Sequence, residues 1–345
     1  MLNGTKFKLD KELISYASRL DRDYRLKSIS PLLSARIKDY ILRPGKRIRP
    51  TLFCLGYLAY SRKPAAGLYR SALSIELLHD FMLVHDDIID KSDLRRGKPA
   101  MHKMFNDHFA GTQDIKFNGQ DLAIVVGDIL YALAMDAFLA IQEKPERKEK
   151  ALRKFVSAAL YTGCGEFIEM VCGAKTIAEI SQADIYKIYD LKTAYYTFAY
   201  PLSIGATLAG ASEDQIKKIF DYGVYLGRAF QIQDDILGMF AEEKKIGKSI
   251  LSDLQESKKT LLIKQAYQNS SKSGRARIKQ ILSKNKVGLS DLYQMRSLVK
   301  NSGSLDYARK EIARMTKKAR DLARALKISP KYKNFLSEFC SQIIS

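Results

Sequence analysis

The sequence predicts an all-α fold, a single-domain bundle of long helices around a deep central cavity. Three observations lead there. Apolar residues recur at helical spacing in segment after segment, no long stretch alternates with period two, and proline or glycine signals fall between the segments.

In chain order, residues 11–43 read as one long helix stopped by Pro44-Gly45, and 50–60 as a second ending before Lys63-Pro64. Segments 68–90 and 120–142 are strongly apolar and flank a polar loop from Asp107 to Gly119. Segments 148–172, 181–209 and 213–241 follow, then a charged loop from Gly247 to Ser257. Helices over 258–269, 274–283, 289–300 and 305–326 complete the pattern. With no composition shift and no repeat, 1–345 reads as one domain. About 1–20 would be an N-terminal extension and about 327–345 a C-terminal tail.

Composition is ordinary for a globular chain of this length, at 46% apolar and 28% charged residues. Cys54, Cys164, Cys172 and Cys340 form no ligand pattern and read as reduced, mostly buried thiols. The first residues mix charges and hold no apolar run of signal-peptide length, so a cytoplasmic protein is expected. The most apolar stretch, Leu122 to Ile141, is interrupted by Asp128 and Asp136, which suits a buried core helix better than a membrane span.

The net charge is +20, and residues 270–345 alone hold 18 Lys/Arg against 5 Asp/Glu. Those charges interleave with Ile, Leu and Ala at helical spacing, the pattern of a solvated helix face. Peripheral contact with an anionic membrane is the alternative use. Nucleic acid is not expected, because it gives no reason for the acidic clusters below.

At Asp86-Asp87-Ile88-Ile89-Asp90, three carboxylates close an apolar helix. Asp86 and Asp90 are one turn apart and share a face. Like charges repel there, and a helix C-terminus is the wrong end for anions, so a cation should compensate. Oxygen donors suit a hard divalent ion, and magnesium commonly combines one or two carboxylates with substrate phosphates. A second cluster, Gln231-Ile232-Gln233-Asp234-Asp235, ends another apolar helix.

Two short basic turns complement them, Gly45-Lys46-Arg47-Ile48-Arg49-Pro50 and Leu94-Arg95-Arg96-Gly97-Lys98-Pro99. Lys192-Thr193, Lys248 and Lys258 add further donors. Arginine forks fit phosphate oxygens and lysine offers a point charge. Carboxylate clusters with basic turns are the pairing expected of a magnesium-bridged diphosphate.

With these motifs in order (GKRIRP, DDIID with RRGKP, LAIVVGDILY, KTAYYTF, and FQIQDDIL with GKSILSDLQESKKT), the chain resembles the trans-isoprenyl diphosphate synthases, or polyprenyl synthetases, from about residue 40 to 325. The resemblance implies a homodimer with an apolar pocket and both aspartate motifs at its mouth. It implies three Mg²⁺ ions, two held by Asp86 and Asp90 and the third by Asp234, with Asp87 and Asp235 in support. Isopentenyl diphosphate would meet Lys46, Arg49, His79 and Arg96. The allylic diphosphate would meet Arg95, Lys192, Thr193, Gln231, Lys248 and Lys258, with Asp253 a supporting acid. The implied reaction ionises the allylic C–O bond, adds the cation to isopentenyl diphosphate and loses a proton to the released diphosphate.

The chain departs from the family's pattern in four places. Gly238 stands where a third Asp is usual, Ser257 replaces a usual Gly, and Glu166 and Glu169 stand where Gln and Asp are common. Phe81 and Met82, five and four residues before Asp86, would form the pocket floor. One aromatic there and no insertion in DDIID resembles geranylgeranyl diphosphate synthases of archaeal type, with a farnesyl (C15) product as the alternative. A terpene cyclase would not need Lys46, Arg49 and Arg96, and a non-catalytic subunit should have lost metal ligands that this chain keeps.

Overall fold

The computed structural model describes residues 2–240 and 250–344. Along the chain run α1 (Leu2–Tyr24), α2 (Leu26–Ile29), α3 (Pro31–Ile41), α4 (Ile48–Tyr60), α5 (Leu68–Ile89), the strands β1 (Leu94–Arg95) and β2 (Lys98–Pro99), α6 (Met101–His108) and α7 (Gly119–Leu139). Then come α8 (Pro145–Gly173), α9 (Gln182–Ile188), a π-helical stretch (Tyr189–Ala199), α10 (Tyr200–Leu208) and α11 (Glu213–Phe240). The remainder is α12 (Ser252–Gln255), α13 (Leu261–Asn269), α14 (Lys272–Leu282), α15 (Leu289–Asn301), α16 (Ser304–Ala325) and α17 (Pro330–Gln342). The chain divides into two compact units, Met1–Phe155 with Ile204–Ala211, and Val156–Ser203 with Ser212–Ser345.

In the first unit, α1 buries Leu9, Leu13, Tyr16, Ala17 and Leu20, all on one helical face. Tyr16 Oη donates to the carbonyl of Leu133 at 3.0 Å. The first twenty residues are therefore core and not an extension, as their apolar spacing allows. Nor is 11–43 one helix. Pro31 restricts Ser30 to an extended backbone (φ −155°), and Ser30 Oγ then accepts from Leu33 N at 3.2 Å as the cap of α3.

Helices α5 and α7 run antiparallel. Residue contacts step in opposite directions along them, from His85 against Gly127 to Ser71 Oγ donating to the Phe138 carbonyl at 2.8 Å. A Cβ at Gly127 would lie 2.2 Å from His85 Cε1, so glycine sets the spacing there. Asn118 and Asp121 start α7 with a reciprocal capping box. This helix buries Ala123, Val126, Leu130, Leu133, Ala137 and Phe138, while Ile124, Val125 and Leu139 are exposed. The expected core helix is thus packed on one face only. It is also long and apolar enough to cross a membrane by length and composition, as is α8.

In the second unit, α11 lies on the π-helical stretch. A Cβ at Gly223 or Gly227 would come within 2.4 Å of the Cα of Ala199 or Ala194, which explains both glycines. Arg228 clamps the same contact with two 2.6 Å hydrogen bonds to Asp190. Pro201 lacks an N–H, and just before it Tyr200 N reaches back five residues to Tyr195 O, the wide π turn.

The basic helix α16 buries Ala308, Ile312, Met315, Ala319 and Ala323 on one stripe, so its cations form the solvated face. The expected C-terminal tail is instead helix α17, with Leu336, Phe339 and Cys340 buried and Tyr222 Oη donating to the Leu336 carbonyl at 2.9 Å. Cys54, Cys172 and Cys340 are buried free thiols, and Cys164 is exposed.

Candidate active site

In the first unit the site grows from the end of α5. Asp86 and Asp90 are i, i+4 neighbours, and their carboxylate oxygens lie within 4.8 Å of one another. Asp87 is a third of a turn away and its side chain is fully buried. Arg95 Nε donates to Asp87 Oδ1 at 2.7 Å, and Arg95 Nη2 donates to Asp86 Oδ2 at 3.1 Å. The cation expected at this helix end is partly supplied by the protein itself. Burial still lifts the Asp87 carboxyl to about 6 against the pull of Arg95.

Arg95 and Arg96 sit in a two-stranded hairpin, with Leu94 opposite Pro99 and Arg95 opposite Lys98. Its two central residues, Arg96 and Gly97, have φ of 55° and 73°, a tight turn that puts a non-glycine residue in the left-handed region. Arg96 thereby reaches inward, 3.5 Å from Asp80 Oδ1 and 3.6 Å from Glu76 Oε1. The other basic turn uses the same device at Arg47 (φ 50°), which turns inward to donate to Glu76 at 2.6 Å and Asp10 at 3.1 Å. Lys46 is exposed and Arg49 partly so. A Cβ at Gly45 would lie 3.6 Å from the Arg96 guanidinium, so the two turns meet.

His79 lies among these cations. Burial first, then Arg49, Arg96, Arg95 and Arg47, hold its imidazole neutral, well below the usual histidine range. Asp80 is fully buried, and burial with the neighbouring Glu76 raises its carboxyl to about 8. Phe81 packs its ring against His85 (4.8 Å between centroids) and Tyr131 (5.3 Å), and both Phe81 and Met82 are partly exposed. Glu76, Asp80 and Tyr131 were not expected from the sequence. Their i, i+4 spacing on an apolar helix was the only signal for the two acids.

In the second unit, Lys192 Nζ lies 2.6 Å from Glu166 Oε2 and 2.5 Å from Glu169 Oε2. A Cβ at Gly165 would come 2.7 Å from Lys192 N, so α8 reaches the π-helical stretch only because that residue is glycine. Thr193 Oγ1 donates to Gln231 Oε1 at 2.7 Å, and Gln231 Nε2 donates to Asp235 Oδ1 at 2.9 Å. Tyr189 Oη donates to Asp235 Oδ2 and accepts from Leu261 N.

Asp234 is exposed while Asp235 is buried. Burial lifts the Asp235 carboxyl to about 8, although Tyr189 and Gln231 pull it down. The cluster does not quite end its helix, since α11 continues to Phe240. Lys258 lies 2.8 Å from Glu256 and 3.5 Å from Asp253. Burial works against its charge, but Asp253, Glu169 and Glu256 outweigh it and hold the ammonium well above the usual lysine range. Lys248 lies outside the described residues.

Each unit therefore carries hard oxygen donors beside fixed cations, a set suited to a divalent ion and phosphate. The sequence model of the family described as polyprenyl synthetase matches residues 30–299. The chain belongs to that family. As a polyprenyl synthetase it is an all-α enzyme that transfers prenyl groups.

Among curated relatives, the chain is 33% identical over 266 residues to a geranylgeranyl diphosphate synthase of Sulfolobus acidocaldarius, covering 76% of this chain and 75% of that one. It is 32% identical over 323 residues to a geranylfarnesyl diphosphate synthase of Aeropyrum pernix, covering 92% and 95%. A geranylgeranyl pyrophosphate synthase of Corynebacterium glutamicum, solved with isoprenyl diphosphate and magnesium, shares the fold with a TM-score of 0.90 at 24% identity, over 100% and 99% of the two chains.

Two departures from the polyprenyl synthetase motifs have structural counterparts. A Cβ at Gly238 would lie 2.3 Å from Asp253 Oδ2, so that carboxylate already fills the room a third motif aspartate would need. Ser257 has a φ of 53°, the conformation that explains the family's glycine, and its Oγ donates to the Leu282 carbonyl at 2.7 Å.

Proposed function

We propose that this polyprenyl synthetase joins isopentenyl diphosphate head-to-tail to an allylic diphosphate and releases mainly geranylgeranyl diphosphate, C20. The observation that carries the reading is the split of each aspartate pair. Asp86 and Asp234 remain accessible, whereas Asp87 and Asp235 are buried.

In this reading Asp86 and Asp90 hold two of three magnesium ions and Asp234 holds the third, with Asp87, Asp235 and Asp253 bracing them. Bound magnesium supplies positive charge to the departing diphosphate. Arg95, Lys192, Thr193, Gln231, Lys248 and Lys258 grip the allylic diphosphate and stabilise the charge it gains as the C–O bond breaks. Lys46, Arg49, His79 and Arg96 hold isopentenyl diphosphate so that its double bond meets the allylic cation. A neutral His79 acts there as an N–H donor and not as a charge. The proton lost in the last step passes to the released diphosphate.

Phe81, with Met82 beside it, sets the product length. Support comes from its place five residues before Asp86 and its partly exposed ring. The 33% identical relative named a geranylgeranyl diphosphate synthase points the same way. Farnesyl diphosphate is the alternative product.

The whole chain acts as one catalytic domain and works as a homodimer in the cytoplasm. Pairing is supported by exposed apolar stripes, Ile124, Val125 and Leu139 on α7 and Val156, Leu160, Phe167 and Val171 on α8. The basic face of α16 gives it a means of touching anionic membrane surface. No nucleic acid is involved.

The test is to incubate the purified chain with isopentenyl diphosphate and each labelled allylic starter, with and without Mg²⁺, and to separate the products by chromatography. A C20 product from every shorter starter is expected, and products ending at C15 would favour the alternative. Absence of any product lengthened by five carbons overturns the reading.

A further inference from the structure

The geometry points to Tyr131 as the second half of the product-length floor, an α7 residue that closes the chain pocket together with Phe81 of α5. The inference rests on the proposed chain-elongating activity and says which groups limit it. Antiparallel packing of α5 and α7 decides which residues meet. The His85 ring sits against Gly127 so closely that no Cβ fits between them, and its Nδ1 lies 3.1 Å from the carbonyl of Phe81 on its own helix. Four residues toward the start of α5 and four toward the end of α7, the next pair is Phe81 with Tyr131, ring centroids 5.3 Å apart and planes tilted by 49°. Both rings are partly exposed, while Leu77, Leu78 and Val84 on α5 and Leu130 and Ala134 on α7 are buried. The surrounding core thus leaves both rings partly open.

A floor of two rings on two helices behaves differently from one built by a single residue. Removing Phe81 alone frees volume on the α5 side but leaves the Tyr131 ring in place, so a lengthening chain still meets it. Removing Tyr131 alone leaves Phe81, which His85 continues to hold through its edge contact at 4.8 Å. Aromatic pairs of this geometry also stabilise each other, so the two substitutions should couple.

The experiment measures product-length distributions, at matched total turnover, for the full chain and for Phe81→Ala, Tyr131→Ala, the double variant and Tyr131→Phe. Tyr131→Phe keeps the ring and should leave the distribution unchanged. The double variant should raise the share of products longer than C20 by about tenfold over Phe81→Ala, the size of discrimination that lost apolar volume gives. A double variant whose distribution equals that of Phe81→Ala overturns the inference, as does a Tyr131→Phe variant that lengthens products as much as Tyr131→Ala. Should Tyr131→Ala fail to fold, Tyr131→Leu serves in its place with the same expected direction. Failure of every variant and of the parent to add five-carbon units would count against the proposed function and not against Tyr131.

Discussion

Helices α5 and α11 each carry two adjacent aspartates. In each pair the leading member is accessible and the one after it is buried, yet the buried member is held in opposite ways. Asp87 meets a cation, Arg95. Asp235 meets neutral donors, Tyr189 and Gln231. Neighbouring helix positions differ by about 100°, so an Asp-Asp pair at the edge of a buried face must split. Burial lifts both carboxyls, Asp87 to about 6 against the pull of Arg95, and Asp235 to about 8 against Tyr189 and Gln231 and with a further push from Asp234 and Asp253. One sequence motif thus yields two electrostatic environments, because its partners come from different places.

The largest expected effect tests the split itself. Asp86→Ala and Asp234→Ala should each lower turnover by about 10³-fold, the usual cost of removing one group that stabilises developing charge. Asp87→Asn and Asp235→Asn should lower it by about tenfold or less, since each removes a brace. Steady-state kinetics at saturating Mg²⁺ checks this, and equal losses at all four positions would break the comparison.

Next in size is the ion pair beneath the first cluster. Arg47→Ala removes the 2.6 Å partner of buried Glu76 and leaves it Arg96 at 3.6 Å, and should cost about 3 kcal/mol of stability, read from denaturant titration. In the second unit the corresponding weak point is steric. Gly227→Ala forces a methyl against Ala194 and should cost about 1–3 kcal/mol in the same assay. A larger loss from Gly227→Ala than from Arg47→Ala would invert the contrast between a charge-braced and a packing-braced unit.

Stability of the first unit also depends on pH. The folded-state pKa of Asp80 is raised to about 8, against an ordinary aspartate value of about 3.9 in the unfolded chain. Between those values the folded protein holds the proton and the unfolded chain does not. Stability from this group is therefore present at low pH and is lost as pH rises toward 8, at no more than about 1.4 kcal/mol per pH unit. Asp80→Asn should flatten that slope in melting temperatures compared between pH 5 and 8. An unchanged slope would show that Asp80 is ionised in the folded state.

Much of this is legible in the chain. The helical class, the DDIID and QIQDD clusters and the two basic turns follow from periodicity and residue chemistry, although the second cluster lies within α11, which runs on to Phe240. The helix expected over 11–43 breaks twice, at Arg25 with its left-handed backbone (φ 55°) and at Ser30, which Pro31 holds extended, and both termini pack as helices because their apolar residues fall on one face. Arg47 shows a finer limit. It shares a turn with Lys46 and Arg49 and resembles them in sequence, yet its left-handed backbone turns it into a buried pair with Glu76.

By itself the sequence determined which residues share a helix face and which chemistry they offer, because both are local properties of spacing and side-chain type. Only the tertiary structure decided that Tyr189 meets Asp235 across 46 positions, that Phe81 meets Tyr131, and that Asp253 occupies the room left by Gly238. Such partnerships depend on how closely two helices approach. That distance is set by packing around small residues such as Gly127, Gly223 and Gly227, which add nothing to a hydrophobic pattern.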